Sequence, residues 1–205
     1  MSKMIGSLTP KQKELLERIL KLSADSSAVA LSEMTDKAIF LRSPEIDVVP
    51  LGDVPAIAGG NDNPAVSICL LLQGEAHGNI LLMFPGRSAF KLADLILQED
   101  SGNSEELSEM AVSALGEVGN LVSAYFLSTL SDYTGLSIQP SAPMIVHDMV
   151  EAIVSSAMLI LEEAPDEVLY IETNIADESE AIQGYMMLFT DEETLHSILR
   201  SIEAR

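Results

Sequence analysis

One helical stretch of the chain places a carboxylate and a carboxamide on the same polar face. Residues 113–126 read SALGEVGNLVSAYF, and at about 100° of rotation per residue Glu117 and Asn120 point to the same side. Together the two side chains offer hydrogen-bond acceptors and one amide donor. The opposite side is predicted to be an apolar back, formed by Leu115, Val118, Val122 and Tyr125.

A glycine precedes each of these two polar residues. Gly116 and Gly119 each cost helix propensity of about 1 kcal/mol relative to alanine. The sequence predicts that another surface comes close to the helix there, because a bulky side chain would block that approach. Two explanations stay open: the glycines are packing notches beside a solvated polar face, or they flank a functional pair.

A longer pattern favours the functional explanation. Ser113, Glu117, Asn120 and Pro143 fit S-x3-E-x2-N-x22-P over 31 residues. This pattern resembles the signature of the CheC/CheX/FliY family of chemotaxis phosphatases. It also stands in the helix-then-strand context that such a signature requires, and we expect the resemblance to extend over nearly the full chain.

The resemblance implies that the protein dephosphorylates a phosphorylated CheY-type response regulator. In such proteins the helix enters the regulator's active site, so Asn120 would orient a water for in-line attack, and Glu117 would pair with a regulator lysine. Asn120 would then serve catalysis and Glu117 mainly docking. No cofactor of its own is implied, since the Mg²⁺ belongs to the phosphorylated partner.

The first helix carries the same spacing with different chemistry. Shifting the chain by 99 residues puts Glu14, Arg18, Lys21 and Pro44 on the four signature positions. Two cations replace the Glu and the Asn, and a cation can neither accept a hydrogen bond from water nor attract a lysine. We therefore predict a degenerate first site, with the helix kept either as scaffold or as a different docking surface. The simpler explanation of its two cations is a solvated charged face.

Resembling proteins also bind the deamidase CheD, and a contact near Asp148, after the signature proline, would fit such a role. Hydrophobic burial is the simpler explanation for the composition of that segment. Two further hypotheses therefore remain: an adaptor that binds a regulator or CheD without catalysis, and a structural component of a motility or adhesion assembly.

The elements needed to position the site occur twice. The same 99-residue shift aligns several residues of the two halves, among them Leu22 with Leu121 and Thr35 with Thr134. This predicts a duplicated α-β-β-β-α unit, of the α/β (α+β) class, forming one pseudo-two-fold symmetric domain with a shared mixed sheet. The expected boundaries are one domain over 1–205, with repeat one at about 8–97, a connector at about 98–108 and repeat two at about 109–205.

Capping residues, turn residues and hydrophobic periodicity predict the individual helices and strands. Thr9 and Pro10 are predicted to open the first helix, and the segment 148–163 is ambiguous between helix and strand. Predicted strands and helices otherwise follow the apolar runs. The strands are expected near 46–51, 66–73, 79–84, 144–150, 168–175 and 184–189.

Composition excludes several classes of function. Acidic residues outnumber basic ones 32 to 11, so nucleic acid and anionic membranes are repelled. Cys69 lies in an apolar run and is predicted to be an unreactive buried thiol. The three histidines, His77, His147 and His196, have no metal-ligand spacing. We expect a cytoplasmic protein with no signal peptide and no membrane span, a monomer by default.

Overall fold

The computed structural model describes residues 8–42, 46–99, 107–161, 164–177 and 181–204. The helices are α1 (Pro10–Thr35), α2 (Val54–Ile57), α3 (Ser88–Leu97), α4 (Glu109–Thr134), α5 (Val150–Met158) and α6 (Glu192–Glu203). The strands are β1 (Phe40–Arg42), β2 (Ile46–Pro50), β3 (Pro64–Gly74), β4 (Gly78–Pro85), β5 (Ile138–Pro140), β6 (Met144–Met149), β7 (Glu167–Ala176) and β8 (Ala181–Thr190).

The two long helices begin at side-chain caps that the sequence supplies. The Thr9 hydroxyl accepts a hydrogen bond from the Gln12 amide N–H while the Gln12 side chain accepts from the Thr9 N–H, a capping box that satisfies two otherwise unpaired donors. Ser108 caps α4 by accepting from the Ala111 N–H. The predicted start of α1 at Thr9 and Pro10 is confirmed.

The strands form one sheet of eight in the described part of the chain. Its order is β1-β7-β8-β4-β3-β5. Two further strands lie off this path: β2 pairs with β7, and β6 pairs with β3. Every described pairing is antiparallel. The shared sheet is thus confirmed, but the expectation of a mixed sheet was wrong, because successive strands are joined as hairpins or cross between the halves in antiparallel sense.

The two halves of the chain interlock within this sheet. The strands β1 and β2, from the first half, pair with β7 in the second half. Correspondingly, β5 and β6 from the second half pair with β3 in the first. Each half therefore completes the sheet edge of the other, and the central β4–β8 pair joins them.

The sheet lies between two layers of helices. On one face α1, α3, α4 and α6 cover the larger apolar core. On the other face the shorter helices α2 and α5 cover the smaller core. Strands such as β4, which is buried over six consecutive residues, are apolar on both sides because both faces are covered.

The repeated unit is larger than the predicted α-β-β-β-α. Each half contains a long helix, two short strands, a helix, two long strands and a closing helix. β1 and β5 escaped prediction because three residues are too few to show a period-2 pattern. The ambiguous segment 148–163 ends a strand at Met149 and then forms α5.

In the described part of the chain, α4 is the one helix long and apolar enough to span a membrane by length and composition. This differs from the sequence expectation, which counted only uninterrupted apolar runs. Half of its most apolar stretch is buried inside the domain, where α4 packs against α1, α3 and β3. Core packing accounts for that half.

Candidate functional site

α4 lies against β3 at Gly119. A Cβ added to Gly119 would lie 3.1 Å from the Ile68 Cβ and closer still to the Ile68 Cγ2. Such a contact is shorter than real Cβ atoms tolerate, so the helix could keep its place only with glycine there. Gly119 therefore fixes how close the site helix comes to the sheet, and the strand it contacts comes from the other half of the chain.

Gly116 has the same role one turn earlier, toward Pro143 and the start of β6. An added Cβ would lie 3.2 Å from the Ile145 Cδ1 and 3.6 Å from the Pro143 Cγ. Both glycines are buried. The close surface predicted from them is thus the protein's own sheet and the Pro143 segment, as the packing explanation has it. Pro143 packs at the side of α4 that carries the polar pair.

The polar pair itself faces outward. Ser113 and Glu117 are exposed, and Asn120 is half-buried. On the helix Asn120 lies on the flank nearest the Gly116 side, while Glu117 lies nearer the middle of the outward face. A carboxylate and a carboxamide are thus held on a rigid helix, with no side chain of the described residues hydrogen-bonded to either.

Tyr125 departs from its predicted place on the apolar back. Its side chain is 39% exposed, whereas Leu115, Val118 and Val122 are buried as predicted. The wheel angle of Tyr125 lies at the edge between the buried and outward faces of the helix, which accounts for its partial exposure. An aromatic ring therefore borders the outward face that carries Glu117.

The corresponding face of α1 is also exposed but differs in chemistry. Glu14, Arg18 and Lys21 are all exposed, and the Arg18 guanidinium carbon lies 5.9 Å from the ring centroid of Tyr133 near the end of α4. At that distance a guanidinium is attracted to the ring face. Arg18 therefore joins the two long helices, which fits the predicted scaffold role. Pro44 lies outside the described residues.

Asp148 is placed on the exposed edge strand β6. Its carboxylate accepts a hydrogen bond of 2.7 Å from the Met149 N–H. Beside it, between β6 and α5, is a groove of about 120 Å³. The groove is lined mainly by apolar side chains, including Met144, Val146 and Ile160, which are 47%, 42% and 41% exposed. The expectation that burial explains the segment 144–154 was wrong for Met144 and Val146.

Cys69 lies on β3 beneath that groove. Its side chain is 7% exposed, and burial raises the pKa of the thiol to about 11. The thiolate is the reactive form of cysteine, so almost none of this thiol is reactive at neutral pH. This agrees with the predicted unreactive core thiol.

The histidines lie apart. His147 packs edge-on against the Phe90 ring, with 5.9 Å between the ring centroids, and the N–H of His77 donates to the Thr194 hydroxyl. Among the residues that the structure describes, no group of three or more histidines, cysteines or acids is arranged to hold a metal ion.

The antiparallel sheet between two helical layers also occurs in solved structures of other proteins. FliY from Thermotoga maritima shares the fold at a TM-score of 0.78 and 18% identity, over 96% of this chain and 98% of that one. The CheX–CheY–BeF3–Mg²⁺ complex from Borrelia burgdorferi contains a similar fold, with a TM-score of 0.52 and 18% identity over 84% of this chain and 98% of that one.

Sequence comparison finds similar proteins with the same family names. The family model described as "Chemotaxis phosphatase CheX" matches residues 66–161, a span that includes α4 and Pro143. The chain is also 26% identical over 207 residues, 97% of each chain, to a Bacillus subtilis (strain 168) protein named CheY-P phosphatase CheC. These matches support the resemblance to the CheC/CheX/FliY family that the sequence pattern indicates.

Proposed function

We propose that this protein is a phosphatase of a phosphorylated CheY-type response regulator. The observation that carries the proposal is the pair Glu117 and Asn120, presented on one outward face of α4 whose position Gly119 fixes against the sheet. The relative named CheY-P phosphatase supports the substrate class. The family's CheX–CheY complex supports a CheY-type partner.

The reaction needs little from the phosphatase. A water oxygen attacks the phosphorus of the aspartyl phosphate in line, the bond from phosphorus to the aspartate oxygen breaks, and the products are the free carboxylate and inorganic phosphate. The proton of the attacking water leaves with the phosphate. The Mg²⁺ that stabilises the phosphoryl oxygens is held by the regulator, and so it belongs to the substrate.

Asn120 would supply the missing alignment. Its carbonyl oxygen accepts a hydrogen bond from the attacking water, and its amide N–H can donate to a phosphoryl oxygen, with no change in protonation. Holding a reactant in line can contribute a large effective molarity. A half-buried side chain on a rigid helix suits that role, because its rotamers are already restricted.

Glu117 would dock the helix. An exposed carboxylate near the middle of the outward face can pair with a lysine of the regulator through a charge-assisted hydrogen bond. Ser113, one turn earlier, is exposed on the same face and leaves room for the partner. Pro143 supports the helix from the side at Gly116. The first helix has no equivalent pair, so we propose one active site.

The test is the decay of phosphate on purified CheY-type regulators from the same genome. Wild-type protein should accelerate the decay, and Asn120→Ala should lower kcat by about 100-fold, since alignment of the water is lost. The same variant should still bind the beryllofluoride-loaded regulator. Binding by the wild type with no faster decay would contradict the phosphatase and leave an adaptor.

The adaptor remains a second candidate because of the groove beside Asp148. Exposed apolar side chains around a groove mark protein interaction sites. A partner such as CheD could occupy it without involving α4, so both functions can reside in one molecule. Asp148→Lys should weaken such a complex and leave phosphate decay unchanged. We expect the protein to act in the cytoplasm and as a monomer.

A further inference from the structure

The outward face of α4 is more apolar than a solvated helix surface requires. Five residues at spacings of four, three, four and four form one outward stripe: Met110, Ala114, Glu117, Leu121 and Tyr125. Met110 is 63% exposed and Tyr125 is 39% exposed, while Ala114 and Leu121 are half-buried. Glu117 is the single charge in this stripe, which runs about 22 Å along the helix.

Packing within the domain accounts for Leu121, which contacts the larger core, but not for the exposed ends of the stripe at Met110 and Tyr125. Half of the most apolar stretch of α4 is buried, and the core contacts of the helix are made by the other side, through residues such as Leu115 and Phe126. Tyr125 and Phe40 are exposed, whereas most of the aromatic side chains are buried. Core formation therefore gives no reason for an aromatic ring at position 125.

The first helix provides an internal comparison for the same stripe. The positions that correspond by the 99-residue shift are Lys11, Leu15, Arg18, Leu22 and Ser26. The second and fourth positions are apolar in both helices. In α1, however, lysine and serine stand at the two ends of the stripe and arginine at its centre. Charged residues are depleted, and tyrosine and methionine enriched, at the cores of protein interfaces. By that criterion α4 carries a contact surface and α1 does not.

We propose that Tyr125 and Met110 are the apolar anchors with which α4 docks on the response regulator, on either side of the Glu117 contact. This rests on the proposed function, since the stripe is continuous with the Glu117–Asn120 site. The anchors lie about 10 Å and 12 Å along the helix from Glu117, on opposite sides. They add affinity to the docked helix and do not themselves contact the phosphoryl group.

The surface of the regulator that receives α4 must match these contacts. Beside its phosphorylation site the regulator presents a lysine to Glu117 and apolar side chains to Tyr125 and Met110. A regulator with an acidic residue at the apolar position is bound poorly, because a carboxylate would be buried against the Tyr125 ring without a partner. Tyr125 thereby contributes to the choice among regulators of one cell.

The experiment measures kcat, KM and binding for Tyr125→Ser, which installs the residue found at the corresponding position of α1. We expect KM to rise about tenfold and the affinity for the beryllofluoride-loaded regulator to fall about tenfold. The kcat at saturation should be unchanged. Tyr125→Phe should behave as wild type, because the ring makes the contact. Leu22→Ser, an exposed position in the stripe of α1, is the matched control and should change neither value.

The outcomes separate this inference from the proposed function. If wild type accelerates phosphate decay and Tyr125→Ser keeps a wild-type KM and affinity, the anchor is wrong and the phosphatase stands. If wild type neither binds nor dephosphorylates any regulator, both fail. Sedimentation is measured on the same proteins: self-association of the wild type that Tyr125→Ser abolishes would assign the stripe to a second copy and overturn the inference. An unchanged unfolding midpoint shows that Tyr125→Ser is folded.

Discussion

The helices α1 and α4 have the same length and the same place in their halves, yet only α4 carries a Glu-Asn pair on its outward face. Both span 26 residues and start 99 positions apart. α4 presents Glu117 and Asn120 and contacts the sheet through Gly119, whereas α1 presents Arg18 and Lys21. The duplicated fold was kept in both halves, while the chemistry needed for the proposed reaction is present in one.

The reason lies in what each position does for stability. The buried side of α1, with Leu16, Ile19 and Leu20, belongs to the common core and cannot vary without loss of packing. The outward positions stabilise little, because an exposed ion pair or cation–π contact on a helix contributes about 1 kcal/mol or less. Loss of the site in one half therefore costs the fold almost nothing.

The contact with the sheet differs between the two helices as well. Where α4 has Gly119 against Ile68, α1 has the full side chain of Leu20, which lines a small cavity with Ile171 of β7 and Met186 of β8. Where α4 has buried Gly116, α1 has exposed Glu17. The two helices thus differ in how they pack against the sheet as well as in their outward residues.

The largest expected effect is on the affinity for the regulator, when α4 receives at position 117 the arginine that α1 has at the corresponding position. Glu117→Arg should weaken binding of the beryllofluoride-loaded regulator by about 100-fold, because arginine would face the lysine that Glu117 pairs with. Titration calorimetry measures the affinity. Arg18→Glu, the reverse exchange in α1, is the control and should leave the affinity unchanged; a large effect of the control would show that the first face binds too.

The next effect concerns the close packing that only α4 has. Gly119→Ala should lower the free energy of unfolding by about 1–3 kcal/mol, since the added Cβ collides with Ile68 on a packed strand. Urea unfolding followed by circular dichroism measures it. Gly116→Ala should cost less, because its nearest atom is the end of the Ile145 side chain. Equal tolerance of both alanines would contradict this account of the helix position.

A smaller effect is expected for the cation that replaces the site on α1. Arg18→Ala should lower the free energy of unfolding by about 0.5–1 kcal/mol through loss of the contact with the Tyr133 ring. Lys21→Ala, three residues on, should stay within about 0.5 kcal/mol of wild type as an exposed substitution. Thermal unfolding of the two variants side by side tests whether Arg18 has a structural role.

The smallest effect is predicted for restoring the signature on α1. Arg18→Glu combined with Lys21→Asn should raise the rate of phosphate decay by less than about twofold, because Leu20 and Glu17 still stand where α4 has glycines and an active site needs its groups placed within about half an ångström. A severalfold gain over wild type would show instead that only the outward residues were lost.

The sequence predicted the two faces of α4 better than it predicted the sheet. Glu117 and Asn120 could be placed on one face because helical periodicity is strict and their spacing is short. Thr9 and Pro10 marked a helix start because capping is a local interaction. The glycines were correctly taken to mark a close approach, but the surface that comes close, Ile68, lies 51 residues away in the chain.

What escaped prediction depends on contacts between distant segments. The pairing of β1 with β7 and of β5 with β3 cannot be read from three-residue strands, and it exchanges edge strands between the halves. The family model accordingly matches 66–161, which is one side of the sheet and not one repeat of the sequence.

The most direct test compares Asn120→Ala with Lys21→Ala, the same substitution at corresponding positions of the two helices. The measurement is phosphate decay on a cognate regulator with the variant in excess, so that differences in affinity do not contribute. The account predicts that Asn120→Ala loses the acceleration and Lys21→Ala retains it in full. Retention of wild-type acceleration by Asn120→Ala would contradict the assignment of the active site to α4.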